Sequence, residues 1–388
     1  MSDTAPDLKR ILLTADAVGG VWTYALELSQ LLQQQQIQIV LASMGGPLTA
    51  LQRAAARRIP GLSLYESPFK LEWMEEPWSD LEHAGEWLLE LADLTQPDVV
   101  HLNSYVHAAL GWRQPILVVG HSCVLSWWEA VKGEPAPPAW QRYRSKVARG
   151  LHAADQVLAP TQAMLRALQR HYGGFARSRV VPNGRDPALF QPADKHPFIF
   201  AMGRLWDEAK NIGLLDMIAP SLTWPVYVAG EERHPTGGHL GYRAVRALGH
   251  LSPARLAWWL RRAAIYALPA RYEPFGLSVL EAGLAGCALV LGDIPSLREN
   301  WDGAALFVPP HDASALRTTL NVLSQDGSRL SELATLARTR ALQFTPQQML
   351  SGYLAAYREL LDYREARLEA GESADQTRFA RQVSLLNG

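Results

Sequence analysis

Residues 271–286 read Arg-Tyr-Glu-Pro-Phe-Gly-Leu-Ser-Val-Leu-Glu-Ala-Gly-Leu-Ala-Gly and concentrate chemical information as no other stretch of the chain does. Glu273 is expected to close an apolar strand, Pro274 keeps that residue out of a helix, and Glu281 falls one turn inside the helix that follows. Two carboxylates therefore bracket a strand-to-helix turn. Such a turn aims free backbone N–H groups and the positive end of a helix dipole at whatever lies above it, which suits a phosphate. Acids beside a phosphate cradle hold hydroxyls, so a phosphate joined to a sugar, as in a nucleotide-sugar, is the first ligand to test. The same residues admit a plainer role: Ser278 and Glu281 fit a capping box, in which the glutamate closes back on the helix start. Glu273 serves no obvious cap and stands where open α/β sheets bind ligands.

Further clusters fall at expected strand ends. Asp16-Ala17-Val18-Gly19-Gly20 precedes a helix starting near Val21, and paired glycines let a backbone approach a ligand closely. The spacing matches neither a dinucleotide fingerprint nor a P-loop, and a tight turn without a ligand fits it equally. His121 follows the apolar run Ile116–Val119, so its ring should emerge at a cleft edge, where it can bond a hydroxyl or stabilise developing charge. Gly203-Arg204 follows the run Phe198–Met202, with Lys210-Asn211 close behind. An arginine fork and a lysine point charge there suit the neutralisation of a diphosphate leaving group. Asn183-Gly184 is a turn signal.

These residues are positioned by short apolar runs alternating with helix-period segments, the pattern of parallel βαβ units. Buried strands are expected at Ile11–Thr14, Ile37–Ala42, Val99–Leu102, Ile116–Val119 and Val157–Ala159, and the strands of the second half at Phe198–Met202, Val226–Ala229, Arg246–Leu248, Ile265–Leu268 and Leu289–Leu291. Helices fill the gaps, among them Val21–Gln34 and His83–Leu94. Residues 186–197 carry Pro187, Pro192 and Pro197 without a period and read as a linker. The expected fold is α/β, with two doubly wound Rossmann-like domains at 1–185 and 198–345. A helix with a polar tail follows at 346–388.

The chain has 388 residues, enough for about two domains. With 37 basic and 38 acidic residues the net charge is -1, which argues against nucleic acid as partner. Cys123 and Cys287 are too few for a disulfide framework or a cysteine metal site, so a reduced, cytoplasmic setting is expected. Met1–Arg10 does not resemble a secretory signal, and no run approaches the roughly 18 apolar residues of a membrane span.

Taken together, the Gly19-Gly20 loop, Asn183-Gly184, Gly203-Arg204 with Lys210, and Glu273-Pro-Phe-Gly with Glu281 resemble the retaining glycosyltransferases of the GT-B fold, family four (glycosyl transferases group 1). The resemblance covers nearly the whole chain in the family's order. It implies two domains facing across a cleft, with the last helix crossing back to the first domain. The second domain would bind a nucleotide-diphosphate sugar, UDP-linked first and GDP-linked next. The first would bind a glycan, lipid or small-molecule acceptor.

By the same likeness, Glu281 would hold the ribose hydroxyls. Glu273, Phe275, Gly276 and Leu277 would contact the donor sugar and phosphate, and Arg204 and Lys210 would grip the diphosphate. Gly19 and Gly20 would close from the opposite domain, and His121 would lie near the reacting carbon. The reaction would keep the α configuration and need no metal or other cofactor; the chain offers no Asp-x-Asp element. Arg271 and Ile294-Pro295-Ser296 depart from the family pattern near the donor sugar. A nucleotide-sugar epimerase and a non-catalytic nucleotide-sugar-binding protein are the alternatives on this scaffold.

Two aromatic stretches, Tyr65–Trp78 with Phe69 and Trp73, and Ser126–Tyr143 with Trp127, Trp128 and Trp140, are candidates for the acceptor side or for core packing. Arg142, Arg144, Lys146 and Arg149 form a basic group that leaves open a peripheral contact with the inner face of a membrane.

Overall fold

The computed structural model describes residues 8–232 and 241–369. The first sheet contains β1 (Arg10–Asp16), β2 (Gln38–Met44), β3 (Leu62–Glu66), β4 (Val99–Leu102), β5 (Ile116–Val119), β6 (Gln156–Ala159) and β7 (Ser178–Val180). The second contains β8 (His196–Met202), β9 (Val226–Ala229), β10 (Arg246–Ala247), β11 (Ala263–Leu268), β12 (Ala288–Gly292) and β13 (Leu306–Val308). Helices α1 (Gly20–Gln34), α2 (Ala50–Arg57), α3 (Trp78–Thr95), α4 (Val124–Lys132), α5 (Gln141–Ala153) and α6 (Gln162–Tyr172) alternate with the first set. Helices α7 (Ile212–Ile218), α8 (Pro253–Arg262), α9 (Leu277–Leu284), α10 (Pro295–Trp301), α11 (Ala313–Gln325) and α12 (Gly327–Ala341) accompany the second. Helix α13 (Pro346–Glu369) closes the described chain; the expected polar tail lies outside the described residues beyond it.

Both sheets are doubly wound and GT-B in arrangement, with strand orders β3-β2-β1-β4-β5-β6-β7 and β10-β9-β8-β11-β12-β13. Every pair is parallel, from β1 on β4 (Leu12↔Val100) to β8 on β11 (Tyr266↔Phe200). Parallel strands covered on both faces must be apolar throughout, and β1, β4, β5, β11 and β12 are buried along nearly their whole length. The order reverses between β1 and β4 and between β8 and β11, and ligands of such sheets settle at these switch points, beyond the strands' carboxyl ends.

Helix α13 buries Met349, Tyr353, Tyr357 and Leu360 among Ile11, Leu13, Tyr24 and Leu28 of the first sheet and α1. His101 on β4 joins this packing: its Nδ1 is 2.7 Å from the Tyr357 hydroxyl and its Nε2 3.2 Å from that of Tyr24. The chain crosses between sheets twice, and the crossings touch. A Cβ on Gly184 would fall 2.3 Å from the Thr345 carbonyl oxygen, so only glycine fits there.

Some expectations need correction. Strand β11 ends at Leu268, so Glu273 sits in the turn beyond the strand and does not close it. His196 and Pro197 belong to β8, not to a linker, and Pro197 falls where the β8–β11 register shifts, so its missing N–H breaks no regular ladder. Strands β3, β7 and β13 were not expected; they are short, partly exposed edge or near-edge strands without a fully apolar run.

Candidate active site

The turn between β11 and α9 is built around Glu273. Gly276 caps α9 with φ 88°, a left-handed conformation that glycine adopts freely, and its N–H donates to Glu273 Oε1 at 3.1 Å. Lys210 Nζ donates to Glu273 Oε2 at 2.6 Å. Both carboxylate oxygens are thus engaged, and one of the N–H groups expected to face a phosphate is turned onto Glu273. Ser296 supports the turn from below, its hydroxyl donating to the Glu273 carbonyl.

On its way to this point the Lys210 stem runs alongside Gly203, where an added Cβ would meet it at 3.4 Å, ordinary contact. Arg204 leaves the end of β8 and donates from Nη2 to Asp207 Oδ2 at 2.7 Å. Burial pushes the Asp207 carboxyl up, but Arg204, Lys210, the Trp127 indole and the Ala209 N–H together hold it below the usual range.

The first sheet meets this surface through the start of α1. A Cβ on Gly19 would lie 3.5 Å from Arg204 Nη1, and one on Gly20 3.3 Å from Leu277 Cδ1. The glycine pair therefore abuts the start of α9 and the arginine. Around this junction Trp127 Nε1 donates to Asp207 Oδ1 at 3.0 Å, Thr161 Oγ1 to the Pro274 carbonyl at 2.8 Å, and the Cys123 N–H to the Tyr272 hydroxyl at 3.0 Å.

Glu281 does not cap its helix. Its Oε1 accepts from Arg185 Nε at 2.9 Å, while Arg185 Nη1 donates to Glu27 Oε2 on α1 at 2.6 Å. The capping-box role fails because α9 starts at Leu277, behind Gly276, and no side chain caps it.

Behind Gly19 and Gly20 lies a cavity of about 60 Å³ whose wall includes Asp16, Glu72, Trp73, Asn103, His121 and Tyr143. Burial, and then the Glu72 charge, push the Asp16 carboxyl up to about 8 against the opposing pull of Arg204. Glu72 is raised by burial to about 7, although it accepts the Tyr105 and Val106 N–H groups at 3.0 Å each. His121 Nε2 lies 2.8 Å from Asn103 Oδ1, and the Asn103 amide donates to the Thr14 carbonyl. That orientation makes Oδ1 the acceptor, so Nε2 carries the proton and Nδ1 the lone pair. Burial holds the ring neutral, lowering its pKa to about 3.

The structure thus gathers Glu273, Lys210, Arg204, Gly19, Gly20, Phe275, Gly276 and Leu277 at one junction. His121 lies in the adjoining cavity, and Glu281 one helical turn down α9. Of the aromatic candidates Trp73 lines the cavity, whereas Phe69, Trp78 and Trp140 pack on the first sheet's core. Sequence reasoning missed Asn103, Glu72, Asp207 and Arg185. Asn103 directly follows β4 at the switch point, a signal that could have found it; no local signal marks Glu72.

Residues 18–189 match the family model described as Glycosyltransferase Family 4, and residues 196–326 that described as Glycosyl transferases group 1. The chain belongs to this glycosyltransferase family. A D-inositol 3-phosphate glycosyltransferase of Xylanimonas cellulosilytica is 24% identical over 91% of this chain and 94% of that protein. A glycogen synthase of Mycobacterium tuberculosis is 31% identical over 48% of the chain, and the match spans 50% of that synthase, about half its length. Among solved structures, the sucrose-phosphate synthase of Thermosynechococcus elongatus superposes with a TM-score of 0.77 at 19% identity, covering 92% of this chain and 100% of that one. Anabaena HepE in complex with UDP-glucose gives 0.71 at 15% identity, covering 90% and 99%. The chain therefore has the GT-B fold. No helix among its described residues is long and apolar enough to cross a membrane.

Proposed function

We propose that this glycosyltransferase moves a sugar from a nucleotide-diphosphate donor to a hydroxyl of a glycan, lipid-linked or small-molecule acceptor, with retention of the α configuration and without a metal ion. The observation that carries the reading is the junction itself: Lys210 held by Glu273 at the start of α9, with Arg204 and the Gly19-Gly20 loop directly opposite. Two cations and a helix N-terminus converge where the diphosphate of a donor would lie, and fixed positive groups lower the cost of charge developing on the leaving phosphate.

In this reading the acceptor oxygen bonds to the anomeric carbon on the face the phosphate oxygen leaves. The acceptor proton passes to the departing phosphate oxygen. Glu273 and the neutral His121 orient donor hydroxyls, and Glu281 holds the ribose. The cavity behind Gly20 takes the acceptor, with Trp73 as a stacking face.

UDP is the first donor to test, since HepE of the same fold was solved with UDP-glucose. Exposed Arg142, Arg144, Lys146 and Arg149 on α5 support a peripheral contact with anionic lipid. The test is a screen of UDP-, GDP- and ADP-sugars for slow hydrolysis and for transfer, with and without EDTA, reading the anomeric configuration of the product by NMR. Transfer with an α product in EDTA is expected. Failure to bind or turn over any nucleotide-sugar refutes the reading, and a free epimerised sugar nucleotide would move it to the epimerase.

A further inference from the structure

Arg185 stands at the first crossing between the sheets, directly after Asn183-Gly184, and its N–H donates to the Phe344 carbonyl on the second crossing at 3.2 Å. From there its side chain runs under cover between α1 and α9, with side-chain exposures of 12% for Arg185, 14% for Glu27 and 7% for Glu281. The guanidinium lies 5.4 Å from the Phe190 ring centroid, which limits its swing. It forks: Nη1 takes Glu27, and Nε takes Glu281 Oε1. Among the described residues Glu281 Oε2 takes no hydrogen bond. One oxygen of the carboxylate is clamped by Arg185 and the other is not.

We infer that Arg185 is the positioning residue of the donor's ribose site, holding the Glu281 carboxylate in place so that the protein prefers a ribose over a deoxyribose. The inference rests on the proposed function, in which Glu281 bonds the ribose hydroxyls. Its physical basis is the burial of two carboxylates around one cation. Burial raises both glutamates, and Arg185 is the group that opposes the rise. Without the guanidinium, Glu281 would take up a proton or turn toward water. Its bond to a hydroxyl would then lose the assistance of a full negative charge. The same fork ties α9 to α1, the helix whose first residue touches Leu277.

The test is calorimetric titration of the full chain with UDP and 2′-deoxy-UDP, and with the matching GDP and ADP pairs. Wild-type protein is expected to bind the ribose form of at least one pair about tenfold tighter than its deoxy form. Arg185→Met should bring the two within about threefold by weakening the ribose form alone, and Arg185→Lys should restore part of the gap. If Arg185→Met does not fold, Arg185→Met with Glu27→Gln removes one of the stranded charges and is held to the same result. A folded variant that keeps the tenfold preference, or weakens both forms by one factor as a purely structural residue would, overturns the inference and leaves the proposed function standing. Wild-type protein that binds none of the six nucleotides overturns the proposed function itself.

Discussion

Lys210 Nζ stands 2.6 Å from Glu273 Oε2, with side-chain exposures of 14% and 12%. The cation assigned to the diphosphate and the acid assigned to the donor sugar are thus one mutually supporting pair. Removing either leaves the other short of its partner in a partly dry site. Lys210→Ala and Glu273→Ala are each expected to lower turnover at least about a hundredfold, or about 2.7 kcal/mol of transition-state stabilisation. The double variant should cost little more than either single one, because the two act as a unit. Initial rates on variants checked for folding decide this, and near-normal rates refute both roles.

His121 is held neutral by burial and oriented by Asn103. Its charge should therefore stay constant across the working range, and no inflection near pH 6.5 in kcat should vanish in His121→Asn. Asn103→Ala should lower turnover nearly as far as His121→Ala does, since an unanchored ring loses its tautomer. Comparing the pH–rate profiles of the three proteins checks both statements.

Asp16 and Glu72 carry carboxyls raised from 3.8 to about 8 and from 4.5 to about 7. A raised carboxyl keeps a proton that the unfolded chain has shed, so its contribution is fully present below the unfolded value and lost as pH rises through the folded one. Below pH 6.5 the lowered His101, His107 and His121 act in the opposite sense, since they stay neutral while the unfolded chain gains protons. Between about pH 7 and 8 the unfolded histidines are largely neutral and the carboxyls dominate. The melting temperature is expected to fall across that window, and Asp16→Asn should flatten the fall. A wild-type curve that is flat or rising there contradicts the assignment.

Gly184→Ala drives a methyl group into the Thr345 carbonyl where the two crossings meet. Backbone has nowhere to retreat at that point, so a loss of about 1–3 kcal/mol is expected, readable as a shift of the denaturation midpoint. An unchanged midpoint would mean the crossings separate easily.

Most of this architecture is legible in the sequence because its strands are continuous apolar runs, as sheets covered on both faces require. Leu62–Glu66 and Leu306–Val308 escaped because edge strands need no such run. Glu273, Arg204, Lys210 and His121 were singled out by one rule, that ligands settle beyond strand carboxyl ends, and the structure brings them to one junction and the cavity beside it. Glu72 and Arg185 follow no local rule. Their partners, Tyr105 and Val106 for the first, Glu27 and Glu281 for the second, are brought to them only by the packing of distant segments. Ser278 and Glu281 misled for the same reason: the spacing of a capping box is present, but Gly276 sets the helix start and Arg185 takes the glutamate.

The central claim is that fixed cations at the junction hold the donor by its diphosphate. Calorimetric comparison of the tightest-binding nucleoside diphosphate among UDP, GDP and ADP with its own nucleoside tests it most directly. The diphosphate is expected to bind at least about a hundredfold tighter in the wild-type protein, and this gap should fall below about tenfold when Arg204→Ala and Lys210→Ala are combined. A gap that survives intact in the folded double variant would contradict the account.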